Sequence, residues 1–237
     1  MPLTPEQEWI VAVCGLIAHA DGELSPGESD HVLGMLDERL TAVEHARWVH
    51  LLGDHAALTA AFAELPPPLP VFAEPLLEKA YMMVLADGHA SEPELRILEQ
   101  IATDIGVAKA DLDEWRARWT THAAALAEHI VAFAAVLIHH DGTIDPAEAE
   151  QFRGLVARLP LAAARKDDLI AAHLAAPPTL GHLGARLAAL PRDLRLTVLR
   201  ALAPLVAASS NADLGRRFFL DLARSAAIPE AQAKLLL

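Results

Sequence analysis

Three short stretches of this chain hold residues whose types and spacing could do chemistry. HADGELSPGE (19–28), LADGHASEPE (85–94) and HHDGTIDPAE (139–148) place Asp, Gly and Glu at the same offsets. The acids are Asp21 with Glu28, Asp87 with Glu94, and Asp141 with Glu148. Carboxylates in a short loop are hard oxygen donors and suit Mg²⁺, Ca²⁺ or Mn²⁺. His19 and His139 precede the Asp by two positions and His140 by one, so a nitrogen ligand is also within reach.

The spacing matches the rear part of a calcium-binding EF-hand loop, where Asp, Gly and Glu occupy positions five, six and twelve. The front part is missing. Ile17 and His19, Met83 and Leu85, or Leu137 and His139 stand where two further oxygen ligands are needed. One loop alone therefore cannot enclose a cation. Two loops packed about a local two-fold could, with Asp21, Glu28, Asp87 and Glu94 converging. The second half offers only Asp141 and Glu148, which places the expected site in the first half.

Capping competes with this reading. Gly22 suits the left-handed residue that closes a helix, and Ser25, Pro26 and Glu28 form a capping box for the next one. Ser91 with Glu94 repeats the box, and Asp145-Pro146 with Glu148 varies it. Asp is the residue that capping explains least, because a carboxylate at the negative end of a helix dipole is unfavourable without compensation. Loop N–H groups or a cation would supply it.

The elements that must position these loops read as helices. Segments between turn signals are rich in Ala, Leu, Glu and Arg, with no alternating strand pattern, which gives an all-α class. Thr4-Pro5-Glu6-Gln7 starts a helix that is apolar on nearly every side from Trp9 to Ala20, so it should be enclosed by its neighbours. Each loop precedes an apolar triplet at helical spacing: Val32, Met35, Leu36; Leu98, Ile101, Ala102; Phe152, Leu155, Val156. FLDLARSAAI (219–228) aligns with LEQIATDIGV (98–107) and puts Ala208, Ser209 and Gly215 where Asp87, Gly88 and Glu94 stand. A fourth unit thus keeps its apolar pattern without its acids.

An offset of 120 to 121 residues relates the halves, so the expectation is a duplication with domains at 1–119 and 120–237. PPPLP (66–70) and APPTLG (176–181) read as connectors inside each half. Neither Gly nor Pro occurs between Gly106 and Gly142, which predicts a nearly continuous helical link.

Composition limits the function classes. A formal charge of −13 argues against nucleic acid as a partner. The one cysteine, Cys14, rules out an intrachain disulfide framework, fits a cytoplasmic location, and lies within an apolar helix as an inert thiol. The longest apolar run, Ile130 to Ile138, is too short to span a bilayer, and MPLTPEQEW lacks the build of a signal peptide, so a soluble chain is expected. No Walker, GxGxxG, GxSxG or HExxH pattern occurs. Trp115 and Trp119, one turn apart, could anchor a partner or cover a domain junction.

At ADGELSPGE and ADGHASEPE the chain resembles the TerB-like family associated with tellurite resistance, with a degenerate second copy after about residue 120. Related helical domains also resemble the N-terminal part of a membrane-anchored DnaJ-like co-chaperone. The resemblance implies two tandem helical bundles, each of two helix–DG loop–helix units. It also implies a role in stress response, binding of a divalent cation, and work within membrane-associated or multi-protein complexes. The positions carried over are Asp21, Glu28, Asp87 and Glu94, with Asp141 and Glu148 weaker. The leading expectation is a non-catalytic module that binds a divalent cation; the alternative is a metal-free helical interaction scaffold with protein partners, and, least supported, a metal-dependent hydrolase.

Overall fold

The computed structural model describes residues 3–20, 32, 41–85, 90–177, 180–208 and 211–237. Among them the chain forms twelve helices and no strand. In chain order these are α1 (Pro5–Ala18), α2 (Ala42–Leu52), α3 (His55–Glu64), α4 (Pro70–Val84), α5 (Glu92–Asp104) and α6 (Lys109–Ile138). They continue as α7 (Pro146–Ala157), α8 (Ala163–Ala175), α9 (Leu180–Ala189), α10 (Arg192–Ala208), α11 (Ala212–Ser225) and α12 (Glu230–Lys234). The protein is all-α. Two compact units, Met1–His122 and Ala123–Leu237, divide it, and the boundary falls inside α6.

In the first unit α1 is the axis. Every residue from Trp9 to Ala18 is buried, as a helix without a polar face requires. α3, α4 and α5 pack around it, and α2 packs on α3. The start of α1 follows its sequence signal: Thr4 Oγ1 accepts from the Gln7 amide at 3.3 Å, and Gln7 Oε1 accepts from the Thr4 amide at 2.9 Å.

In the second unit the corresponding axis is the later part of α6. Val131, Phe133, Ala134 and Ile138 share one core with Phe152 and Val156 of α7, Leu199 and Leu202 of α10, and Phe219 and Ala223 of α11. By length and composition α6 could cross a membrane, although no single apolar run in it is long enough. More than half of its most apolar window is buried inside the protein, which is the environment of a core helix.

The described members of the apolar triplets end up inside: Val32 is buried, while Met35 and Leu36 lie outside the described residues. Leu98, Ile101 and Ala102 are buried, as are Phe152, Leu155 and Val156, and in the fourth unit Phe219, Leu222 and Ala223. α5 and α11 also end alike. Val107 N donates to Ala102 O at 2.9 Å and Ile228 N to Ala223 O at 2.9 Å, the reach-back bond that closes a helix through a left-handed residue. That residue is Gly106 (φ +82) after α5 but Ala227 (φ +55) after α11, where a Cβ is strained. Ala227→Gly should therefore stabilise the protein by about 1 kcal/mol, and Gly106→Ala should destabilise it by a similar amount. Denaturant midpoints measure both, and a destabilising Ala227→Gly would contradict the assignment.

Candidate functional site

The loops are built by the helices they join. α6 ends at Ile138, and Gly142 (φ +87) turns the chain with its amide donating to His139 O at 3.0 Å. Asp141 therefore lies beyond the helix, in the turn itself, and not in the last helical turn where the sequence spacing put it. Its Oδ1 accepts from the Thr143 amide at 3.1 Å and from Thr143 Oγ1 at 3.2 Å. This is an Asx-type turn, in which loop donors compensate the carboxylate. The amide bond from Thr143 holds the Asp141 carboxyl below its ordinary value, with the Thr143 hydroxyl and nearby His140 adding to it.

Glu148 starts the next helix. Its Oε2 accepts from the Asp145 amide at 3.1 Å, while Asp145 Oδ1 accepts from the Glu148 amide at 2.8 Å. Glu94 repeats the arrangement: its Oε2 accepts from Ser91 N at 2.9 Å and Ser91 Oγ accepts from Glu94 N at 3.4 Å. Both are reciprocal capping boxes that satisfy two orphan helix donors. Glu94 and Glu148 are 7% and 2% exposed, the two buried charged residues among those described. Solvated caps would not need that burial.

The six acids therefore fall into two groups. Asp21, Glu28 and Asp87 lie outside the described residues, so the expected convergence of Asp21, Glu28, Asp87 and Glu94 does too. Of the described three, Glu94 and Glu148 face inward as caps and Asp141 is exposed in its turn. Among the described residues no group of three or more His, Cys, Asp or Glu side chains is placed to hold a metal ion.

The histidines beside the loops have a shared structural task. His19 Nε2 donates to Leu52 O at 2.7 Å, and His139 Nε2 donates to His173 O at 2.8 Å. Each acceptor lies in the last turn of a helix, α2 or α8, where carbonyls lack an intrahelical partner. A carbonyl only accepts, so Nε2 carries the proton and the ring's lone pair is on Nδ1. His140 differs: Nδ1 donates to Leu137 O at 2.6 Å, and buried Nε2 has no partner. Glu148 Oε1 is likewise buried and without a partner. Two lone-pair-bearing atoms, one before the turn and one in the first turn of α7, thus lack a donor.

Other candidates resolve as packing. Trp119 is 1% exposed, with its ring 5.8 Å from Tyr81 and 6.0 Å from Trp115, so the pair belongs to the first unit's core edge. Phe219 is buried beneath exposed Arg216 and Arg217. The capping box Thr41–Glu44 at α2 was not singled out from sequence, although TAVE carries the signature.

No protein-family model matches the chain, and no curated protein and no solved structure matches it. The reading of the site rests on its own geometry.

Two expectations test that geometry. Glu148→Ala should cost about 1 kcal/mol through loss of the box, whereas Glu148→Gln, whose amide oxygen still accepts from Asp145, should change stability by less than about 0.5 kcal/mol. Chemical denaturation of both variants decides it, and a Gln as costly as Ala would show that the charge itself is required. The second concerns Cys14, whose thiol burial pushes up to about 12. A disulfide reagent at mildly alkaline pH should leave native Cys14 untouched and modify it fully after unfolding. Fast labelling of the folded chain would overturn the assignment of an inert thiol.

Proposed function

We propose that this chain is a non-catalytic, TerB-like helical module that serves as a protein-interaction scaffold. One observation carries the reading: at the acidic loops Glu94 and Glu148 are occupied as helix caps and Asp141 as a turn acceptor. Where described, the side chains that recur from unit to unit are used to close helices and join them. The TerB-like resemblance, tandem and with a degenerate second copy, rests on the ADGELSPGE and ADGHASEPE stretches and brings a stress-associated role with it. Buried Cys14, with its thiol far above the range of a nucleophile, fits a chain without covalent catalysis.

A second reading, a module that binds Mg²⁺, Ca²⁺ or Mn²⁺, is favoured by the unpartnered Glu148 Oε1 and His140 Nε2. Buried acceptors without donors are costly, and a cation would relieve them.

Thermal melting separates the two. EDTA-stripped protein is melted with and without Mg²⁺, Ca²⁺, Mn²⁺ or Zn²⁺, beside an Asp21→Ala/Asp87→Ala double variant and beside Glu148→Gln. The scaffold reading expects no ion-specific rise in Tm. A ligand of the native state at 100 times its Kd would add about 2.7 kcal/mol, a readily visible shift. A rise abolished by the double variant would put the cation in the first half, and one abolished by Glu148→Gln would put it in the second.

A further inference from the structure

The connector LPPPLP, residues 65–70 between α3 and α4, is more than a spacer in its geometry. Leu65, Pro66, Pro67 and Leu69 each precede a proline, which drives them out of the helical region and into extended or polyproline II backbone. The two leucines have those angles, φ −75° and ψ 137° at Leu65 and φ −61° and ψ 145° at Leu69. Polyproline II repeats every three residues, so positions three apart share a face. Burial follows that period. Leu65 and Pro68 are half-buried against the first unit, while Pro66 with Leu69 and Pro67 with Pro70 form two exposed faces.

Stiffness between helices accounts for the prolines. It does not account for Leu69 at 61% exposed or for Val71 and Phe72 at 74% and 42% directly after it. An apolar residue between prolines on a rigid, two-faced ridge is the form in which PxxP segments are read, and Pro67 to Pro70 has that spacing. The second half has only two prolines at its counterpart, APPTLG. Charge narrows the partner further. Exposed Glu64 precedes the ridge, and Met1–His122 holds 21 Asp and Glu against 7 Lys and Arg. Such a field draws a groove with a basic rim.

We infer that residues 65–69, running into Pro70 at the first position of α4, are a preformed polyproline II ligand, docking into the aromatic-lined, basic-rimmed groove of a partner protein. The ridge is already ordered, so binding loses little chain entropy. The inference rests on the scaffold reading and names the partner's chemistry, yet it uses no residue of the acidic loops. An ion-specific melt would displace that reading and leave the ridge unaffected, whereas a failed titration here would leave the caps as they are.

The test titrates the full chain by calorimetry with purified SH3 and WW domains, whose grooves are aromatic-lined, chosen to include members with a basic rim, with a synthetic polyproline peptide as competitor. The expected result is saturable binding to at least one domain, displaced by the peptide. Leu69→Ser should weaken it by about tenfold or more with no loss of Tm, because the side chain is exposed and a serine at the N-cap of α4 favours the helix. Glu64→Lys should weaken it further as ionic strength falls. Absence of binding to every domain, or binding indifferent to Leu69→Ser, would overturn the inference. So would concentration-dependent self-association that Leu69→Ser abolishes, which would make the occupant a second copy of this chain.

Discussion

A helix with no polar side can exist in water only if other helices enclose it, and that constraint organises each unit. Ten consecutive residues of α1, Trp9 to Ala18, are buried, and the second core draws on α6 continuously from Ile130 to Ile138 except at Ala132, which is partly buried. Burying one large apolar side chain contributes roughly 1.5–3 kcal/mol, so such a helix dominates the packing of its unit. The remaining helices need only one apolar stripe each, and their polar faces supply the surface. Contact around α1 is close enough that a Cβ on Gly15 would lie 2.5 Å from Leu52 Cδ2 and 2.8 Å from Leu58 Cδ2.

Enclosing helices creates a second requirement, because helix ends carry backbone groups without partners. The chain answers it with a small set of repeated devices. Threonine, serine or aspartate with a Gln or Glu three residues on closes the starts of α1, α2, α5 and α7. His19 and His139 reach across to the last turns of α2 and α8. The Asp, Glu and His side chains that suggest ligands in the sequence are, where described, engaged in this work. Their burial follows from it: Glu94 and Glu148 turn back toward their own helix starts, beside the core.

The two units differ where their helices do not. Met1–His122 is strongly acidic, while Ala123–Leu237 holds 11 Asp and Glu against 12 Lys and Arg. The formal charge of the whole chain thus resides in the first unit. The exposed proline ridge also belongs to that unit. Two helical units can differ so far in charge because surface residues change at little cost to stability.

Helix class, the caps at Thr4, Ser91 and Asp145, and the inward triplets were legible in the sequence because each depends on neighbours within about one turn. The left-handed closure of α11 at Ala227 was hidden, since no glycine marks it and only alignment with Gly106 points there. The role of His19 and His139 was hidden for another reason: their acceptors lie 33 and 34 residues away. Local pattern shows that a histidine stands beside a loop. Only the packing of helices decides which carbonyl it meets, and therefore which ring nitrogen carries the proton. The same division applies to LPPPLP, where proline chemistry dictates the backbone from sequence alone. Which of its three faces meets solvent was set by the helices it rests on, because exposure is a property of neighbours and not of the segment itself.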